Sequence, residues 1–222
     1  MNATDHNFIK GGIERVTVES GRQIELELKT ELLEKDGGIH MKNVLVTYAS
    51  RSGSTTEIAE KIAKVLRSKG ENVTIQPVAG VTDLNPYNAV VLGSAVYMGH
   101  WMKEAVEFLE THEDALSTRP VWIFSSGPTG PGDPVERMHG WRFPEAQQAI
   151  AERIKPHDTV LFHGKIEIQD LNFGEKIMIR ALGAPTGDFR DWNAISAWAE
   201  GIAQVLRPLE VATVGRKSSI QP

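Results

Sequence analysis

A run of hydroxyl-bearing residues stands where a predicted strand passes into a predicted helix. The run follows the apolar stretch NVLVTYA and consists of Ser50, Arg51, Ser52, Gly53, Ser54 and Thr55. The first N–H groups of a helix lack partners within it, and the helix dipole favours an anion at that end. A helix cap needs one Ser or Thr, whereas this loop offers four hydroxyls and a glycine. We therefore predict that the loop binds a phosphate group.

Three familiar phosphate-dependent sites do not match this loop. The sequence has no G-x-x-x-x-G-K-[ST] segment of the NTPase type, and no G-x-G-x-x-G dinucleotide pattern follows a strand. A phosphoryl-receiver domain shares the predicted sheet but needs acidic residues after its first and third strands. Those positions hold Ser50-Arg51 and Gly93-Ser94. The predicted phosphate therefore belongs to a different kind of ligand.

The loop after the third predicted strand is built to approach a flat ring. Its candidate binding residues are Ser94, Ala95, Val96, Tyr97, Met98 and Gly99. Small residues let the backbone come close to a ligand, and the Tyr97 ring is predicted to stack on a flat heterocycle. The alternative is that Tyr97 packs against the helices. We expect Trp101 to lie on the next helix, spaced to pack with Ala105.

The loop after the fourth predicted strand supplies groups that suit a ring edge. Its candidates are Ser125, Ser126, Gly127 and Pro128, although Ser/Gly/Pro clusters are also ordinary turns. Together, the three loops offer groups that could bind a phosphate, a side chain that could stack on a flat ring, and groups that could hydrogen-bond the edge of that ring. These features suit a mononucleotide with a flat ring.

The irregular stretch from Gly127 to Pro144 is expected either to form a lip over that ring or to be a surface loop. Its candidate lip residues are Arg137, His139, Trp141 and Arg142.

Five apolar runs alternate with helical patterns and place these loops on one side of a sheet. Predicted strands cover residues 43–49, 72–78, 88–95, 120–127 and 158–166. The helix after the first strand should bury Ile58, Ile62, Val65 and Leu66, and helices are also predicted at 144–154 and 191–206. Such alternation predicts an α/β fold with a doubly wound parallel sheet of five strands. Ligands of these folds bind beyond the carboxyl ends of the strands.

Composition narrows the function classes. The chain has 222 residues, a formal net charge of −5 and a pI near 5.8, which argue against general binding to nucleic acid. It has no cysteine, which excludes disulfides and thiolate chemistry, and its seven histidines lack ligand spacing, so no metal site is predicted. No apolar run reaches the roughly 20 residues of a membrane helix. A cytoplasmic protein is expected.

The chain resembles the flavodoxins. Ser50, Ser52, Gly53 and Thr55 match the family's FMN phosphate loop, [ST]-x-[ST]-G-x-T, and the resemblance extends over about Lys42 to Leu206. It implies strand order 2-1-3-4-5 with FMN at the carboxyl edge of the sheet. The segments GSAVYMGHWMKEAVEFL and GDFRDW resemble in particular the flavodoxin-domain group that includes menaquinone-dependent protoporphyrinogen oxidase.

Two functions follow from this resemblance, both with the chemistry on the flavin. One is an electron carrier that docks a redox partner protein, and the other is an FMN-dependent oxidoreductase acting on a quinone or a porphyrinogen. The flavodoxin-like domain is predicted at 41–206, between a 1–40 extension with a β-hairpin and a loose tail at 207–222. A lone hairpin is marginal in water, so we expect it to pack on the domain or on another subunit of a homo-oligomer.

Overall fold

The computed structural model describes residues 42–181 and 183–207. The strands are β1 (Asn43–Ala49), β2 (Asn72–Pro77), β3 (Ala89–Tyr97), β4 (His100–Trp101), β5 (Val121–Ser126), β6 (Asp158–Phe162), β7 (Lys165–Ile166) and β8 (Gly187–Asp188). The α-helices are α1 (Ser54–Ser68), α2 (Lys103–Thr111), α3 (Glu113–Ser117), α4 (Pro134–Arg137), α5 (Gln148–Ile154), α6 (Phe173–Ala181) and α7 (Trp192–Leu206). Short 3₁₀ turns lie at Val78–Gly80, Glu145–Gln147 and Ile168–Asp170.

Five parallel strands form the main sheet in the order β2-β1-β3-β5-β6. Counted without the two-residue strand β4, this is the predicted order 2-1-3-4-5, and the predicted α/β fold class is confirmed. The carboxyl ends of β1, β3 and β5 therefore lie side by side, with Ala49 opposite Ser94 and Ala95 opposite Ser126. The three candidate loops consequently leave the sheet along one edge.

Each face of the sheet carries a separate apolar core. Strand β1 contributes Val44 and Val46 to the core beneath helices α1 and α7, and Leu45 to the opposite core beneath α2. Alternate residues of a strand point to opposite faces, so a strand covered on both sides reads as a continuous apolar run. This pattern explains why the central strands could be recognised. Strand β2, which contains Pro77, lies at the edge as expected.

The helix faces follow the predicted spacing with one refinement. Helix α1 buries Ile58, Ile62 and Leu66, whereas Val65 is only partly buried at the rim of the same core. Helix α7 covers the predicted range from its second residue onward. The segment predicted as a helix at 144–154 begins with a 3₁₀ turn and becomes α-helical at Gln148.

Two predicted boundaries are wrong. Trp101 lies in β4, which pairs antiparallel with the end of β3, and helix α2 begins only at Lys103. The predicted fifth strand does not continue to residue 166, because β6 ends at Phe162 and β7 pairs with β8 in a separate two-stranded sheet. The break coincides with Gly164, where an added Cβ would stand 2.8 Å from the Gly127 carbonyl oxygen. Gly164 thus permits the chain to pass close to the neighbouring loop.

The predicted hairpin and linker of residues 1–40 and the tail from 208 onward lie outside the described residues and stay predictions. Within the described part of the chain, no helix combines the length and apolar character needed to cross a membrane.

Candidate functional site

An open pocket of about 180 Å³ lies at the carboxyl edge of the main sheet. The residues predicted from sequence that line it are Arg51, Ser52, Ser54, Ala95, Val96, Tyr97, Met98, Ser126 and Gly127. The opposite wall consists of residues that were not predicted, namely Gly164, Lys165, Ile166, Glu167, Leu171, Glu175, Met178 and Ile179. The structure therefore brings all three candidate loops to one pocket and adds a second wall after strand β6.

The predicted phosphate loop, residues 50–55 and called the phosphate loop below, leaves the first N–H groups of helix α1 without a side-chain cap. The N-cap is Gly53, in the left-handed region at φ 82°, and no side-chain cap hydrogen bond forms. The Gly53 N–H itself donates to Ser50 Oγ at 3.2 Å. A residue with a Cβ would be strained at this φ, so the glycine is required by the turn. The uncapped N–H groups are then available to an anion.

Thr55 carries a polar atom that has no partner within the described residues. It lies in the first turn of α1, it is fully buried, and its Oγ1 makes no hydrogen bond. A buried hydroxyl left unpaired costs about 1–3 kcal/mol, so such a group points to a partner supplied from outside the chain. A phosphate oxygen bound at the adjacent helix end would meet that need. Thr47 Oγ1 is also unpaired, but it lies within β1 rather than at the strand end.

A tight hairpin carries Tyr97 and Met98 to the pocket. Strands β3 and β4 pair Tyr97 with His100, and the two residues between them, Met98 and Gly99, have φ values of 51° and 80°. Positive φ at both central residues is typical of the turns that join two antiparallel strands most tightly. Tyr97 is 41% exposed and Met98 is 76% exposed, so both are available to a ligand.

The hydroxyls of two predicted site residues, Ser94 and Ser125, form hydrogen bonds within the chain that hold the loops in place. Ser94 Oγ accepts the Met102 N–H at 3.0 Å and donates to its neighbour's carbonyl oxygen. Ser125 Oγ accepts the Trp101 indole N–H at 2.8 Å and donates to the Arg142 carbonyl oxygen at 2.8 Å. Trp101 is therefore a buried packing residue, as expected. The predicted site residues that do not line the pocket are Ser50, Gly53, Thr55, Ser94, Gly99, Ser125 and Pro128.

The predicted lip residues do not line this pocket. Trp141 packs against the core beneath α2, beside Phe143, whose ring meets Trp101 edge-on at 4.9 Å. The Arg137 guanidinium donates to the Pro131 carbonyl oxygen within its own loop. Residues 127–144 thus reach the pocket through Gly127, and the loop's aromatic side chains turn inward because burial there removes them from water.

The second wall of the pocket, residues 164–181, is called the distal wall here. None of the described residues of helix α6 is buried, and Phe173 and Ile177 are 80% and 55% exposed. Helix α6 is held at its start by a reciprocal capping pair, because the Asn172 N–H donates to Glu175 Oε2 and the Glu175 N–H donates to Asn172 Oδ1, each at 2.9 Å. The Asn-x-x-Glu spacing is the sequence signal that could have revealed this helix.

An ion pair joins the distal wall to the phosphate loop. Arg51 pairs with Glu175 across the pocket, and the Arg51 guanidinium also lies 5.8 Å from the centre of the Tyr97 ring. Glu175 therefore both caps helix α6 and holds the one arginine of the phosphate loop. The ion pair therefore joins two residues that line opposite sides of the pocket.

Comparison with known proteins agrees with this architecture. The family model described as "Flavodoxin domain" matches residues 45–193. The Protoporphyrinogen IX dehydrogenase [quinone] of Escherichia coli (strain K12) is 21% identical over 177 residues, covering 72% of this chain and 94% of that protein.

Two solved structures are similar to this chain, and the first of them shares its fold. The rubredoxin oxygen:oxidoreductase from Desulfovibrio gigas is 12% identical with a TM-score of 0.51, covering 73% of this chain and 35% of that one. The oxidised Flavodoxin 2 from Bacillus cereus is 22% identical with a TM-score of 0.49, covering 73% of this chain and 99% of that one.

Proposed function

The chain belongs to the flavodoxin domain family, and from that premise we propose that it is an FMN-dependent oxidoreductase whose substrate is flat and apolar, of the quinone or porphyrinogen class. FMN binding and redox function come with the family and are not part of the proposal. The proposal concerns what exchanges electrons with the flavin. The alternative is an electron carrier that docks a protein.

The residues around the pocket fit FMN. Uncapped N–H groups of helix α1, Ser52 and the unpaired Thr55 hydroxyl would hold the phosphate, with the flat ring against Tyr97. When bound, FMN supplies the electron-transfer chemistry, whereas the chain supplies binding, orientation and exclusion of water. Arg51 and the helix dipole both favour the phosphate dianion.

The single observation that carries the proposal is an exposed apolar rim around the pocket. Tyr97 and Met98 on the hairpin and Met178 on the distal wall line the pocket and are exposed. The same distal wall also exposes Ile168, Phe173 and Ile177. Exposed apolar side chains grouped at a pocket mouth mark a contact surface, because leaving them in water is unfavourable. A planar apolar substrate would remove this rim from water while lying next to the ring site.

The relative from Escherichia coli supports the same class, since its name gives a porphyrinogen as substrate and a quinone as acceptor. The carrier alternative draws on the same rim, because a protein partner would also cover it. The two differ in size: a small planar molecule needs only the rim, whereas a protein partner needs about 800 Å² on each side. A cytoplasmic location and a homo-oligomer stay predictions.

The test is turnover with small substrates. The FMN-loaded protein is assayed with a porphyrinogen as the electron donor and a water-soluble quinone as the electron acceptor, and reduction of the quinone is also measured with photoreduced protein. The double variant Phe173→Ser/Ile177→Ser is compared with the wild type in both assays. The proposal expects saturable turnover and a KM raised about 30-fold in the variant, because each of the two lost apolar contacts weakens substrate binding by about 1 kcal/mol. FMN affinity should stay within about twofold.

Val205→Ser is the matched control. Val205 is 55% exposed, as Ile177 is, but it lies in the last turn of helix α7 and not on the distal wall. Its substitution should leave the KM unchanged. Flavin-bound protein that turns over neither substrate class faster than free FMN does would overturn the oxidoreductase proposal in favour of the carrier.

A further inference from the structure

Arg190 is a buried cation that touches the phosphate loop from behind. It lies between strand β8 and helix α7, and its side chain is only 1% exposed. The guanidinium donates to the Ser54 carbonyl oxygen at 3.0 Å and to Glu57 Oε2 at 2.8 Å. It also donates to both carboxylate oxygens of Asp188, at 2.8 and 2.6 Å. Ser54 itself lines the pocket.

These contacts give Arg190 two effects on the loop. The bond to the Ser54 carbonyl fixes the peptide plane at the start of helix α1, where the N–H groups must face an anion. The bonds to Glu57 and Asp188 offset one of the two negative charges that these carboxylates bring to the vicinity of that anion site. A buried cation needs such pairing, and the planar guanidinium can serve several acceptors at once.

The surroundings of the guanidinium show that the site is built around it. The hydrogen bond from Arg190 holds the pKa of the Asp188 carboxyl below its ordinary value. The guanidinium carbon lies over the Trp192 ring, 4.5 Å from the ring centre. Each neighbour of Arg190 thus stabilises its charge in one position.

We propose that Arg190 is a positioning residue for the cofactor phosphate, which orients the Ser54 peptide and offsets one of the two negative charges of Glu57 and Asp188 so that helix α1 accepts a dianion. Arg190 acts through Ser54, Glu57 and Asp188 and does not line the pocket. This inference rests on FMN binding, and it is independent of whether the electron partner is a small substrate or a protein.

The experiment compares the affinity of the apoprotein for FMN and for riboflavin, which lacks the phosphate. In Arg190→Met, FMN affinity should fall about 10- to 100-fold, as expected for lost hydrogen bonds involving a charged group, while riboflavin affinity changes less than about threefold. Arg190→Lys keeps the charge but not the planar fork, so it should recover only part of the FMN affinity. The FMN loss should shrink at high salt, because one part of the effect is electrostatic.

Arg119→Met is the matched control. Arg119 is a partly buried arginine that also donates to backbone carbonyls, but its acceptors are those of Ala115, Leu84 and Tyr87, and none of them belongs to the phosphate loop or to helix α1. Its substitution should lower the free energy of unfolding without changing the ratio of FMN to riboflavin affinity. If the ratio of FMN to riboflavin affinity also fell in Arg119→Met, removing the hydrogen bonds of any buried arginine would be enough to disturb the loop. That result would overturn the assignment of Arg190.

A second variant keeps the test decisive if Arg190→Met does not fold. Glu57 is half exposed, so Glu57→Gln removes one negative charge beside the loop at little structural cost. FMN should then bind about two- to fivefold more tightly at low salt, with riboflavin unchanged. Equal changes for both ligands in either variant would overturn the role of Arg190. Failure of the wild-type protein to bind FMN would instead overturn the family-based function itself.

Discussion

The two walls of the pocket are built in different ways. The phosphate loop, residues 50–55, joins a strand inside the sheet to helix α1, whose buried face locks it to the core. The distal wall, residues 164–181, carries a helix with no buried residue among those described, held by a capping pair and an ion pair. The first wall is suited to hold one cofactor in one geometry. The second wall is suited to transient contacts, because its apolar side chains remain exposed.

The largest effect is expected from a substitution in the first wall, at Thr55. Thr55→Val keeps the shape of the side chain but removes the unpaired hydroxyl, so FMN affinity should fall about 10- to 100-fold, since a hydrogen bond to a charged group is worth about 1.5–3 kcal/mol. The apoprotein should become no less stable, and up to about 1 kcal/mol more stable, because a buried unsatisfied group is lost. Titration of the apoprotein and urea unfolding measure the two effects.

Thr47→Val is the control for Thr55→Val, since its hydroxyl is also buried and unpaired but lies within strand β1. Thr47→Val should stabilise the apoprotein by a similar amount and leave the FMN affinity unchanged. If Thr55→Val destabilises the apoprotein and spares FMN binding, Thr55 is a structural residue and the first wall is misassigned.

The next effect concerns the ring site between the walls. Tyr97→Ala should weaken FMN binding about 5- to 100-fold, because stacking of a flat heterocycle on an aromatic ring is worth about 1–3 kcal/mol. The fluorescence of bound flavin should rise, since a stacked tyrosine quenches it. Fluorescence titration records both quantities. Unchanged affinity and unchanged fluorescence together would mean that Tyr97 only partners Arg51.

A smaller effect should appear when the distal wall is loosened. Glu175→Ala removes the capping pair with Asn172 and the contact with Arg51, which together stabilise helix α6 by about 1–2 kcal/mol. Amide hydrogen exchange in residues 173–181 should accelerate and the KM for a small substrate should rise, with FMN affinity changed less than about threefold. Glu200→Ala, which breaks an exposed ion pair on helix α7, is the control and should change neither. A large loss of FMN in Glu175→Ala would contradict the division of roles.

The smallest effect is on the pH dependence of stability. The pKa of Asp188 is lowered from its ordinary value near 3.8 by its hydrogen bond to Arg190. The unfolded chain therefore takes up the proton first as pH falls, so this stabilisation is present above about pH 4 and is lost as pH drops through the lower folded-state value. Asp188→Asn should show a shallower loss of stability below pH 4, measured by urea unfolding at several pH values. If stability depends on pH below pH 4 as steeply in Asp188→Asn as in the wild type, the ion pair between Asp188 and Arg190 does not stabilise the folded state.

The contrast between the walls also explains what the sequence could predict. Strands β1, β3 and β5 are buried on both faces, so their apolar runs stand out, and the loops that follow them must meet at one edge. The phosphate loop was visible because its hydroxyls are more numerous than a cap requires. The candidate residues could therefore be located because they follow strands whose residue types are dictated by burial.

The parts that could not be predicted are those that burial does not dictate. Helix α6 has no buried face to produce a strong period, so residues 167–186 gave no clear pattern. Trp101 has the spacing of a helix residue relative to Ala105, and the Met98-Gly99 turn was not recognised because Met rarely adopts positive φ. Arg190 reads as an ordinary charged residue, and its burial depends on acceptors that are 133 and 136 positions away in the sequence.

The most direct test of the central claim, that residues 50–55 hold the phosphate of FMN, is a pair of titrations on the wild-type apoprotein. FMN and riboflavin are added separately, and the flavin absorbance and fluorescence give the affinity and the number bound per chain. The account predicts about one FMN per chain and an affinity at least about tenfold above that for riboflavin, since even one charge-assisted hydrogen bond to the phosphate is worth that factor. Equal affinity for the two flavins, or no binding of either, would contradict it.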